Sequence, residues 1–173
     1  MSAREPRRNP LLVLLMVNGR CHALPATHVV EVLPWMPAQP VPLAPQQITG
    51  MLNYRGQWTP VVDLSRLLGG EECPRWLSSR TVIVSVGEGL KRLIGLQVEA
   101  CELHQSSDRA IQPGLRLPDA PFVGEVLADG DRLIQLLRPD DLLDTATLDA
   151  LACIAPSDMR VGAIERGATQ AAG

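Results

Sequence analysis

Short apolar runs separated by turn residues recur along the chain, and few stretches hold the 3.6-residue period of a helix. Leu11–Val17 is a continuous apolar run, Asn18-Gly19 follows it, and Cys21–Pro25 resumes the apolar character. Because Asn-Gly takes positive φ at low cost, this pattern predicts a β-hairpin closed by a type I′ turn. Val29–Leu33 predicts a further strand in which Glu31 is the polar position. Met51–Tyr54 and Trp58–Val62, joined by Arg55-Gly56-Gln57, predict a second hairpin, and Asp63–Gly69 a short helix with Asp63 as N-cap and Gly69 as its stop. Thr81–Val86 and Leu93–Val98 read as strands on either side of Gly87-Glu88-Gly89, the first of them rich in β-branched residues. After a polar stretch punctuated by Pro113, Pro118 and Pro121, a strand pair is expected at Phe122–Leu127 and Leu133–Leu137, turning at 128–131. Arg138-Pro139-Asp140-Asp141 is expected to open the last helix, with Leu142, Leu143, Leu148, Leu151 and Ala152 on its apolar face.

Five prolines between Pro34 and Pro45 exclude both helix and central strand from that segment. It reads as an ordered loop or edge segment, with Val41 and Leu43 packing onto the domain; a polyproline ligand is the alternative. A hairpin followed by Asp-Leu occurs twice, at 54–64 and at 128–143, which suggests two similar halves. About nine short strands with two helices then argue for paired small barrels, since closure removes exposed strand edges. Residues 1–10 and 154–173 are expected to be flexible ends around a single two-lobed domain at 11–153.

Composition narrows the chemistry. The 173 residues are 46% hydrophobic but only 3% aromatic, so the core must be built from Leu, Val and Ile. A net charge of −3, with Lys and Arg scattered, gives little support to nucleic-acid binding. The four cysteines, Cys21, Cys73, Cys101 and Cys153, lie far apart, so buried free thiols are expected rather than zinc or disulfides. Arg4, Arg7 and Arg8 before Leu11–Val17 imitate a signal peptide, but the 7-residue run is followed by Asn-Gly-Arg and reads as a buried strand. No apolar run approaches the ~20 residues needed to span a bilayer, and a soluble, cytoplasmic protein is expected.

Catalytic motifs are missing. There is no P-loop, G-x-G-x-x-G, H-E-x-x-H or G-x-S-x-G. His22, His28 and His104 carry no carboxylate at helical spacing and read as structural or surface residues. Asp129, Asp131, Asp140 and Asp141 read as turn and cap residues. No catalytic residue, metal site or cofactor is assigned.

The segment Gly50-Met51-Leu52-Asn53-Tyr54-Arg55-Gly56-Gln57-Trp58-Thr59-Pro60-Val61-Val62-Asp63-Leu64 closely resembles the pattern G-x-x-N-x-R-G-x-x-x-P-V-x-D-L of CheW-like domains. Flanking echoes follow in order: Leu24-Pro25 with Val29-Val30-Glu31-Val32, the proline loop, Gly95-Leu96-Gln97-Val98-Glu99, Val123-Gly124-Glu125-Val126 and Leu133–Leu137, so the likeness covers about 11–150. Cys21-His22 and the proline-rich loop depart from the family's usual residues. The resemblance implies a mainly β fold of two five-stranded SH3-like barrels packed around a shared core. It also implies a non-catalytic scaffold that couples the cytoplasmic tip of a methyl-accepting chemoreceptor to the regulatory domain of a CheA-type histidine kinase, in arrays at the membrane. A regulatory module that binds the kinase but no receptor uses the same fold and stays open, as does a small-molecule or catalytic role on that scaffold.

The residues themselves place a candidate site. Gly50 and Gly56 allow the positive φ or close approach of a tight turn, and Asn53 can bond backbone within it. Arg55 then stands at a hairpin tip with its planar fork free for a carboxylate, and Glu31 is the expected partner. The pair is either a structural salt bridge or part of a binding groove with Val29 and Gly50 as its apolar floor. In the family such a groove takes the receptor's helical tip. Trp35 and Trp58 are expected to fill the core.

Overall fold

The computed structural model describes residues 11–90, 92–105, 111–114 and 117–154. β1 (Leu11–Val17) turns back into β2 (Arg20–Pro25) through Asn18 and Gly19, whose φ values of 51° and 66° make the expected I′ turn. β3 (Val29–Pro34) leads through the proline loop to the second hairpin, β4 (Ile48–Tyr54) and β5 (Gln57–Asp63). Its turn is the pair Arg55-Gly56 at φ 50° and 85°, one residue shorter than expected, because Gln57 already pairs with Tyr54. α1 (Leu64–Leu67) is capped by Asp63, and Gly69 takes a φ of 83° just past its end. β6 (Arg80–Val86), β7 (Arg92–Val98), β8 (Ala100–Gln105), β9 (Ile111–Gln112), β10 (Val123–Asp129), β11 (Arg132–Leu137) and α2 (Thr145–Ile154) complete the order.

Eleven strands are thus present among the described residues, where about nine were expected. The additions are β8 and β9, in the polar stretch. Each is an outermost strand, so backbone pairing rather than an apolar run defines it. The last helix also begins later than expected. Pro139–Asp141 is only a 3₁₀ turn, and the cap of α2 is Asp144, which accepts from the Thr147 amide at 2.8 Å and hydroxyl at 2.7 Å. Asp140 instead accepts from the Gly87 amide at 2.8 Å and pins the β6–β7 turn. Leu142, Leu143 and Leu151 are buried as expected, whereas Ala152 is exposed. Of the flexible ends expected at 1–10 and 154–173, all but Ile154, the last residue of α2, lie outside the described residues.

The strands form two sheets, β8-β1-β2-β11-β10-β9 and β3-β6-β7-β5-β4. The fold is therefore mainly β in two lobes; the second has the five strands expected and the first gains a sixth through β9. One large core joins them. Val13, Leu15, Val17, Leu24 and Leu137 from the first sheet meet Val62, Val82, Val84 and Leu96 from the second, with Leu142 and Leu151 above. Each lobe keeps a smaller core of its own, around Leu12, Leu14, Leu127 and Ile134 in one and Leu52, Tyr54, Val61 and Ile83 in the other.

The five-stranded sheet rolls until its edges approach each other. β3 and β4 are its outermost strands, yet Glu31 on β3 bonds Tyr54 and Arg55 at the end of β4. The proline loop closes the gap, with Gln39 bridged to Met51 and the Met36 amide donating to Thr81 Oγ1 at 3.0 Å. Val41 packs on the shared core as expected, but Leu43 points fully into solvent at φ 61°. A left-handed backbone at that position turns its side chain away from the domain.

Candidate functional site

The site is built where a strand edge meets a hairpin tip. A bulge between Val29 and Glu31 shifts the β3–β6 register, and His28 is locked to β6 by Nδ1 at 2.9 Å from the Ser85 carbonyl oxygen. In the alternation that follows, Val29, Glu31 and Leu33 are half-buried while Val30 and Val32 face solvent. Val29 packs on the shared core and Leu33 on the lobe's own core, so Glu31 is the polar group between two apolar anchors.

On β4 the I′ turn aims the partners. Asn53 Oδ1 accepts from the Gly56 amide at 2.9 Å and tightens the turn. Arg55 then reaches Glu31 Oε2 with Nη2 at 2.8 Å, and the Tyr54 hydroxyl donates to the same oxygen at 2.5 Å. The guanidinium also stands 5.2 Å from the Tyr54 ring centre, within cation–π range. Because the phenol O–H donates a hydrogen bond to Glu31, which favours the protonated form, Tyr54 is held above its ordinary pKa. The Arg55 side chain remains 73% exposed, against 34% for Glu31, so most of its fork faces outward.

Glu31, Asn53, Arg55 and Gly56 are thus brought together around one turn. Gly50 serves elsewhere: it is buried under the proline loop at φ 147°, and a methyl group there would overlap the Gln39 carbonyl. Tyr54 was not singled out from sequence. It is the only tyrosine in the chain and adjoins Arg55, and that adjacency is the signal a sequence reading had available.

The neighbouring motif residues are structural. Asp63 is fully buried and its carboxylate accepts from the amides of Ser65 at 2.9 Å, Arg66 at 3.2 Å and Cys73 at 2.9 Å. Trp58 packs on the shared core, while Trp35 is stacked by Arg75 at 4.3 Å. Among the described residues no group of His, Cys, Asp and Glu is placed to hold a metal ion, and the four thiols are free.

The CheW-like domain family matches residues 11–147. The chain is 34% identical over 126 residues to the chemotaxis protein CheW of Rhizobium meliloti, covering 70% of this chain and 79% of that protein. To the chemotaxis protein CheW of Bacillus subtilis it is 23% identical over 141 residues, covering 81% and 90%. Its fold is similar to the crystal structure of the scaffolding protein TtCheW from Thermoanaerobacter tengcongensis, with a TM-score of 0.71, 25% identity and coverage of 80% and 95%. With the two-sheet fold and the Asn53–Leu64 turn and cap in place, the chain belongs to the CheW-like family of chemotaxis coupling scaffolds.

Proposed function

We propose that this chain is a non-catalytic adaptor in the cytoplasm that joins the tip of a methyl-accepting chemoreceptor to a CheA-type histidine kinase in a membrane-associated array. The observation that carries this reading is the outward-facing Arg55 fork, fixed by Glu31 at the rim where the edges of the five-stranded sheet meet. A cation held in one geometry by Glu31, with half-buried Val29 two residues before that carboxylate on β3, suits the polar flank and apolar stripe of a helix laid in a groove. Asn53 and Gly56 hold the tip in shape, and Gly50 lets the proline loop pack beneath it. Among the described residues no helix is long and apolar enough to cross a membrane.

The test is Arg55→Glu in a protein whose circular dichroism is unchanged. Receptor-fragment binding and receptor-dependent kinase stimulation are each expected to fall by about tenfold or more, since like charges replace a paired contact. Glu31→Arg combined with Arg55→Glu restores the ion pair in reverse and separates the two roles. If the double variant recovers both stability and coupling, the pair is a structural bridge and the receptor-facing assignment fails. Binding to the kinase regulatory domain without any binding to the receptor fragment would identify a kinase-only module instead.

A further inference from the structure

The ladder between β2 and β11 is short: only Gln135↔His22 and Leu136↔Ala23 are registered in it. Each strand is held along its other side, β2 by β1 and β11 by β10. Toward their starts, at Arg20-Cys21 and Arg132-Leu133, the two strands therefore part. A groove of about 720 Å³ opens there, with Leu68 beyond α1 contributing from the other lobe. That size lies within the range of ligand-binding clefts.

The groove is apolar along its length and cationic at its rim. Leu133 and Met16, which line it, are 74% and 37% exposed, so much of their apolar surface serves no internal core. Arg20 and Arg132 line it too, and among the described residues neither forms an ion pair. No carboxylate belongs to the lining. Of the acids on or beside the adjoining strands, Glu99 accepts from the Asn18 and Gly19 amides and Glu125 pairs with Arg138 at 3.5 Å; Glu102 and Asp129 stand near the Cys21 thiol, and Asp129, opposite Arg132 in the β10–β11 ladder, also lies 3.7 Å from His104. His22 also lines the groove, and its Nδ1 is buried with no hydrogen-bond partner, a condition rare enough to ask for an incoming polar group. Burial, then Arg20, holds the His22 pKa below its ordinary value, so the ring is neutral near pH 7 and the positive charge rests on the two arginines.

We propose that this groove is a second docking site, taking a peptide segment of a partner protein in which apolar residues are flanked by carboxylates. The apolar side chains lie against Leu133, Met16 and Leu68, and the carboxylates meet the forks of Arg20 and Arg132. Two arginines are too few to hold a nucleic-acid backbone. The site is distinct from Glu31 and Arg55, which sit on β3 and at the end of β4 in the other sheet.

The experiment titrates the full-length, ¹⁵N-labelled chain with acetyl-Glu-Asp-Leu-Leu-Asp-Glu-amide and with its uncharged counterpart, acetyl-Gln-Asn-Leu-Leu-Asn-Gln-amide, following amide shifts by NMR. The acidic peptide is expected to move the His22, Leu133 and Gln135 signals saturably, and the uncharged one to bind about tenfold more weakly. Arg20→Gln with Arg132→Gln should lower affinity by about tenfold and remove its salt dependence. Leu133→Ser, at an exposed position that leaves the fold intact, should weaken binding without changing the salt dependence. Absence of saturable shifts at millimolar peptide, equal binding of the two peptides, or shifts centred on Glu31 and Arg55 would overturn the proposal.

Discussion

At Glu31 a single carboxylate oxygen holds both the Tyr54 hydroxyl and the Arg55 guanidinium, which couples the chemistry of three side chains. Tyr54 is the only tyrosine, so the ultraviolet titration of tyrosinate reads this group alone. Glu31→Ala is expected to lower the Tyr54 pKa, because the acceptor that favours the protonated phenol is gone. The sign for stability follows. A phenol whose folded pKa lies above its unfolded value of about 10 stabilises the fold fully below that pH, and the contribution fades as pH rises through the folded value. An unchanged or raised pKa in Glu31→Ala would show that Glu31 is not the cause. The thiols differ among themselves for a related reason. Burial first, then Asp63, pushes Cys73 up to about 12, and burial also raises Cys21 and Cys101, whereas Cys153 is exposed on α2. Since the thiolate is the reacting form, maleimide near pH 7 should label Cys153 first and Cys73 only on unfolding, as peptide mass mapping can show.

The junctions between elements rest on backbone contacts that particular residues make possible. Asp63 satisfies two amides at the β5–α1 junction and ties the following loop to it through a third, that of Cys73. Asp63→Ala strands those donors in a buried place and should cost on the order of 3 kcal/mol, read as a lower urea midpoint with an unchanged slope. Gly50 and Gly56 both have positive φ, but only Gly50 lies against a neighbour. Gly50→Ala should therefore destabilise by about 2–4 kcal/mol and loosen the proline loop, while Gly56→Ala, with open space around it, should cost about 1 kcal/mol. Similar losses at the two positions would mean that backbone strain alone, and not the Gln39 contact, sets the cost. Cap and turn signals of this kind were legible in sequence because they are local. The N-cap of α2 was misplaced by several residues because Asp140, Asp141 and Asp144 are equally good caps on paper, and only the distant Gly87 amide distinguishes them.

The two lobes share more core than either keeps. Leu15 and Leu24 on the first sheet touch the same cluster as Val82, Val84 and Leu96 on the second, with Trp58 packed against it. The molecule should unfold as one cooperative unit, with tryptophan fluorescence and far-ultraviolet circular dichroism giving superimposable curves. Leu15→Ala, at a position with no exposure, should cost about 2–5 kcal/mol and shift both curves together. Separated curves would show that the lobes are held independently. A scaffold built this way can present surfaces on both lobes at fixed mutual geometry, so the Glu31–Arg55 rim and the β2–β11 groove stay in register through the common core.

The sequence alone determined the order of most elements, both hairpins with the I′ turn of the first, the Asp63 cap and the Glu31–Arg55 pair, because each depends on residues whose backbone preference or charge acts within a few positions or on one obvious complement. Tertiary structure alone decided that β8 and β9 are strands, that Tyr54 joins the ion pair, that Leu43 faces solvent and that β2 and β11 part to open a groove. Those features arise from edge pairing and from the meeting of distant strands, where the partner's position, rather than the residue's own propensity, sets the free energy.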